Sequence, residues 1–182
     1  REIEEVVKEL DDLLRRNDER VKRILDELEE LIKKHDRRSD EVTKEIRELL
    51  RKLEREVERD KSKEDLERKL DELRRTVDEL VRDVERHARE VLERVKELVE
   101  RLERHSRRVL EEVEKLVREV VRTKEARELA EELKKRAKES VDRSKKALEE
   151  LKKRAREAVR RSREKLKKLK REVEKVVREV RR

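Results

Sequence analysis

The 182 residues include no Gly, Pro, Cys, Met, Phe, Tyr or Trp; 62% are charged, and 60 Lys and Arg against 52 Asp and Glu leave a net charge of +8. Such a chain has no raw material for hairpin turns or phosphate-cradling loops, and none for a disulfide, a thiolate zinc site or a cysteine nucleophile. No apolar run approaches the ~20 residues of a membrane span and no signal peptide is visible, so the chain reads as soluble. Nothing in it names a compartment, and the composition suits cytoplasmic expression.

High charge with 31% apolar residues fits three states: disorder, a solvated single helix held by Glu–Lys pairs, or a helix with a face to bury. Periodicity decides. In residues 1–57 the apolar positions include Ile3, Val7, Leu10, Leu14, Val21, Leu25, Leu28, Ile32, Val42, Ile46, Leu50, Leu53 and Val57, with Asn17, His35 and Ser39 at the missing steps. From Ile3 to Val57 the stripe takes 15 steps over 54 residues, the 3.6-residue period of an α-helix. A disordered chain or a solvated helix has no need of such a stripe.

A change of phase locates each turn. Beyond Val57 the first stripe would continue at Asp60, Glu64, Glu67 and Asp71, all acidic; a new stripe starts at Leu66, Leu70, Leu73, Val77, Leu80 and Val84. Between them Ser62 is the expected N-cap, with Glu64 and Asp65 in the first turn. Past Val120 the old phase meets Lys124, Arg127, Glu131 and Lys134, and another stripe runs through Ala126, Leu129, Ala130, Leu133, Ala137 and Val141 with Thr123 as N-cap. The chain is therefore a single domain, residues 1–182, of three helices at about 1–60, 63–121 and 124–182. Connections this short predict an all-α, monomeric, antiparallel up-down-up three-helix bundle.

The polar interruptions share a spacing. Asn17 is followed by His35, His87 by His105, and Ser144 by Ser162, each 18 residues on. Eighteen residues are five helical turns, so each pair points the same way, and the period predicts long, nearly straight helices with almost no supercoil. Folding the chain at its turns places residue i of the first helix near 123 − i in the second and i + 123 in the third. Two polar groups result: Asn17, His105, Ser106, Ser140 and Ser144 in one, and His35, Ser39, His87 and Ser162 in the other. Buried polar groups are costly unless hydrogen-bonded, so each group is expected to close a network that holds helix register.

Rival readings of these residues are weaker. His35 and His87 are good ligands for zinc, copper or haem iron, but no acidic residue falls on the predicted inner faces to complete a set, and no metal or cofactor is expected. Ser106 and His105 are adjacent on one helix and point about 100° apart, which defeats a nucleophile–base pair; no catalysis is expected. Acid should weaken layers built on neutral imidazoles, while the apolar core is expected to keep the fold intact.

Charge is uneven: residues 1–60 carry −4, 61–120 carry −1 and 121–182 carry +13, with twelve Lys or Arg between Lys152 and Arg171. A basic surface suits nucleic acid or anionic lipid. With no aromatic to stack on bases, no recognition motif and only small residues such as Ala155 and Ala158 on the apolar face, neither specific nucleic acid nor membrane is expected as a partner. The basic face is expected to complement the two acidic helices.

Ideal-period stripes, Lys/Glu/Arg surfaces, Leu/Val/Ile/Ala cores and Asn/His/Ser layers make the whole chain resemble de novo designed, parametrically built helical bundles with buried hydrogen-bond networks. The resemblance implies a structural scaffold, not an enzyme, needing no partner. The alternative is part of a designed switch or assembly, in which the Ala- and Ser-rich third helix is displaced, the His layers respond to pH, or a helical partner or second copy is added. Turns without Gly or Pro, and His in both layers, depart from common practice in such proteins.

Overall fold

The computed structural model describes residues 2–59, 62–120 and 123–182. Three α-helices account for nearly all of them: α1 Ile3–Arg59, α2 Lys63–Arg118 and α3 Lys124–Arg181. Leu, Arg, Lys and Glu, all strong helix formers, are frequent in each one, and Ala joins them in α3. The ends follow the helix dipole, with Glu4 and Glu5, Glu64 and Asp65, and Glu125 in the first turns, and Arg59, Arg118 and Arg181 among the last-turn cations.

The expected α2 end at 121 lies outside the described residues, as do Arg1, Asp60 and the turn residue Lys61. The α2 helix stops earlier, at Arg118, because the Val120 N–H turns back to the Val117 carbonyl at 3.1 Å, a tighter bond than the α-helical pattern. Thr123 caps α3: the Ala126 N–H donates to Thr123 Oγ1 at 3.1 Å and the Arg127 N–H to the Thr123 carbonyl at 3.0 Å. At Ser62 the backbone carbonyl accepts from the Leu66 N–H at 3.1 Å, the position an N-cap occupies. No residue among those described takes a positive φ.

The contacts divide the chain into two compact units, each drawing on all three helices: residues 1–30 with 94–153, and residues 31–93 with 154–182. In the second unit Arg38 pairs with Asp83 and Glu56 with Lys69, so numbers rising on α1 fall on α2 and the two run antiparallel. Asp40 pairs with Lys165 and His35 with Ser162, so α1 and α3 run parallel. Glu85–Arg163, Asp78–Lys170, Arg74–Glu174 and Glu67–Arg181 make α2 and α3 antiparallel. The first unit repeats the first two relations through Glu27–Arg94 and Arg20–His105, and through Asp11–Arg136 and Asp18–Ser140.

Each unit has its own core. Val42, Ile46, Leu50 and Leu53 of α1 pack with Leu70, Leu73, Val77 and Val84 of α2 and Leu166, Leu169, Val173 and Val177 of α3 in the second unit. In the first, Leu10 and Leu14 meet Val109, Val113, Val117, Ala130, Leu133 and Ala137. The expected stripe of α1 holds with corrections, and Val57 at its far end is only partly buried. Ile3 is 38% exposed and Val7 and Leu25 only partly buried, while Val6 is fully buried against Val120 and Ala126. The inward direction of the first turn is set by where α2 ends and α3 begins. Among the described residues no helix is long and apolar enough to cross a membrane.

Candidate functional site

Polar side chains sit inside both units. In the second, His35 of α1 is fully buried, Ser162 of α3 nearly so, and His87 of α2 partly so. Alanines on neighbouring turns, Ala88 of α2 and Ala155 and Ala158 of α3, are buried and leave volume for two imidazoles. His35 Nε2 lies 2.9 Å from Ser162 Oγ, and His35 Nδ1 lies 3.2 Å from His87 Nδ1. The two rings are within 2° of parallel with centroids 5.5 Å apart. That separation equals the N···N distance plus one ring radius at each end, so the rings share a plane and meet edge to edge. Their lone-pair directions coincide, as a hydrogen bond requires.

Donor counting orients the run. The Ser162 hydroxyl donates to the Val159 carbonyl at 2.8 Å and has one hydrogen, so it accepts from the Nε2–H of His35. His35 Nδ1 is then the acceptor for an Nδ1–H of His87. All donors point one way, from His87 through His35 and Ser162 to a backbone carbonyl, an arrangement in which each bond polarises the next. Neutral His35 is required. Burial, and then the neighbouring His87, hold its pKa below the ordinary imidazole value, against a smaller upward pull from Asp36.

Ser39 is buried beside this run without joining it across helices. Its backbone carbonyl accepts from Thr43 Oγ1 at 2.9 Å, a buried hydroxyl that the sequence pattern did not single out. Thr43 sits one residue after Val42, within the apolar arc, and its position at the fourth residue after Ser39 was the available signal.

The first unit is less complete. Asn17, Ser106, Ser140 and Ser144 are buried and His105 partly so, but they do not form one hydrogen-bonded set. Ser140 Oγ donates to Asp18 of α1 at 3.0 Å, and Ser144 Oγ to the Ser140 carbonyl of its own helix at 3.0 Å. His105 Nδ1 faces the Arg20 guanidinium at 3.3 Å. Asn17, 2% exposed, has no partner among the described residues for either amide atom, and His105 Nε2 has none there either. The closed set expected around Asn17 is corrected here: Asp18 and Arg20, charged residues on the flank of the α1 stripe, take the bonds that Asn17 was expected to make.

The chemistry open to these groups is limited. The Ser162–His35 contact has the atoms of a nucleophile–base pair, but the imidazole donates and the serine proton is committed to a carbonyl, the reverse of activation. His105 meets Arg20, not Ser106. A metal between His35 and His87 would sit closer to each nitrogen than the ~2.0–2.1 Å of a zinc–nitrogen bond, because the lone pairs face each other across 3.2 Å. Among the described residues no group of three or more His, Asp or Glu converges on a point.

Fold and site together define a single-chain, all-α three-helix bundle with a polar layer inside each of its two units. The chain is similar to a solved structure described as a computationally designed three helix bundle, with a TM-score of 0.60 at 17% identity over 97% of this chain and 89% of that one. At that identity the likeness concerns the fold. No protein-family model and no curated protein matches the sequence.

Proposed function

We propose that the chain is a designed structural scaffold whose buried polar layers hold the helices in register, and that it performs no catalysis. The observation that carries this is the hydrogen-bonded run from His87 through His35 to Ser162, which takes one side chain from each helix. Sliding any of the three by a turn would strand buried donors at about 1–3 kcal/mol each. An apolar stripe alone tolerates such slips, because a turn later it presents similar residues. Monomeric behaviour accords with the burial: among the described large apolar side chains only Ile3 is exposed, so no apolar face is left for a second copy.

The test is a variant with His35→Leu, His87→Leu and Ser162→Ala, compared with the parent by urea unfolding, light scattering and amide NMR. The expected result is equal or greater stability, as when buried polar groups give way to apolar ones, together with several sets of amide signals from coexisting registers. One sharp set with the parent's interhelical contacts would remove the register role. The parent itself is expected to scatter as a 22.5 kDa monomer.

A further inference from the structure

The cations of α3 that reach its neighbours meet acids there. On α3, Arg163 forks onto Glu85 at 2.7 and 3.0 Å, Lys165 reaches Asp40 and Lys170 reaches Asp78, so these three cations are tied to acids of α1 and α2. Between α1 and α2 of the first unit the pattern reverses. A groove of about 580 Å³ is lined by Arg20 and Arg23 from α1 and by Arg101, Arg104, His105 and Arg108 from α2. Its acid, Glu27, is already held by Arg94 at 2.7 Å. Arg23, Arg101, Arg104 and Arg108 form no ion pair among the described residues. Like charges facing across an interface are unfavourable, and an anion between them would relieve the repulsion.

A second observation lies in the same place. A hollow of about 210 Å³ shares Arg20, His105 and Arg108 with the groove and adds Asn17. The Arg20 guanidinium carries only donors, so His105 Nδ1 accepts from it and the ring proton sits on Nε2. That Nε2–H and the Asn17 amide N–H₂ are buried donors without acceptors. Guanidinium forks and unpaired N–H groups are the chemistry that recognises phosphoryl oxygens.

We propose that this groove is an anion site for a short linear oligophosphate. Arg101, Arg104 and Arg108 recur on one face of α2 over about 10 Å of helix, more than a single phosphate spans, with Arg20 and Arg23 opposite. The chain has no Phe, Tyr or Trp for a base to stack on, and His105 is partly buried with one ring nitrogen held by Arg20, so recognition centres on the phosphates. Inorganic triphosphate and ATP are expected to bind alike, and orthophosphate more weakly. The site is independent of the scaffold reading: either stands if the other fails.

The experiment titrates the intact protein with sodium triphosphate at about 0.15 M salt, where distant charges are screened, by calorimetry and by NMR of the His ring nitrogens. Binding with His105 signals moving and those of His35 and His87 still is the expected result. Arg104→Gln/Arg108→Gln should weaken it by about tenfold or more, since charge-assisted forks are lost. The control Arg161→Gln/Lys168→Gln removes the same charge from α3 and should change affinity by less than about twofold. Both pairs are exposed and leave the fold intact, which circular dichroism checks. Equal losses in the two variants would mean attraction to net charge alone. That result, His signals that do not single out His105, or no binding at this salt would overturn the proposal.

Discussion

His35 and His87 meet nitrogen to nitrogen, Nδ1 to Nδ1 at 3.2 Å in a common plane, and only one of the two facing nitrogens can carry a proton. The pair therefore behaves as a single unit whose geometry depends on His35 staying neutral, and protonation of His35 would place two hydrogens in the same gap.

Acid should weaken the fold through His35. Its pKa in the folded chain lies below the ordinary value of 6.5, so between the two values the unfolded chain binds more protons. The stability contributed by neutral His35 is fully present above about pH 6.5 and is lost as pH falls through the lowered native value. His105, lowered by burial and then by Arg20 and Arg108, adds a loss of the same sign. The urea midpoint is expected to drop between pH 7 and pH 5, and His35→Leu should shrink that drop. The apolar core should still hold the helices folded at pH 4 without denaturant, as circular dichroism would register.

Ser162→Ala and Ser39→Ala separate a bonded serine from an unbonded one on the same footing of burial. The first strands the His35 Nε2–H and is expected to cost about 1–3 kcal/mol by urea unfolding. The second removes a hydroxyl with no cross-helix bond and gains helix propensity of up to about 0.5 kcal/mol, so it should be neutral or stabilising. Equal costs would mean the run through His35 contributes nothing beyond packing.

Asn17→Leu should stabilise the protein. Both amide atoms of Asn17 are buried without a partner, at a position the apolar stripe would otherwise fill. Relief of that desolvation predicts a gain of about 1–3 kcal/mol in urea. A loss of similar size would place a satisfied hydrogen-bonding role at Asn17.

Thr123→Ala should cost about 1 kcal/mol, because the Ala126 N–H loses its side-chain acceptor at the start of α3. Thr123→Ser should restore most of it, a rescue that loss of packing alone would not show.

Much was legible along the chain because helical periodicity is local. The stripe from Leu10 to Leu53, the phase breaks and the caps depend on neighbours within a turn or two, and the helices begin and end within a few residues of where those signals put them. The level rule also brought His35 beside His87 and near Ser162, since rise per residue is fixed once the turns are placed. Val6 was misjudged in favour of Ile3 and Val7 because the first turn faces a chain reversal that periodicity does not describe.

Hydrogen-bond pairing is a different kind of information. It depends on rotamers and on fractions of an ångström between helices, and it separated the closed run at His35 from the unsatisfied Asn17 although both looked alike in spacing. Charge behaved likewise. Counted along the chain, α3 is the basic helix, yet its Arg163, Lys165 and Lys170 are paired, while the arginines left facing one another lie on the acidic and near-neutral helices. Three helices, their approximate bounds and an inventory of inward polar groups can be read along the chain, because those follow from local spacing. Which polar groups meet and which charges go unmatched emerges from the folded arrangement, because partners on separate helices are chosen by packing in space.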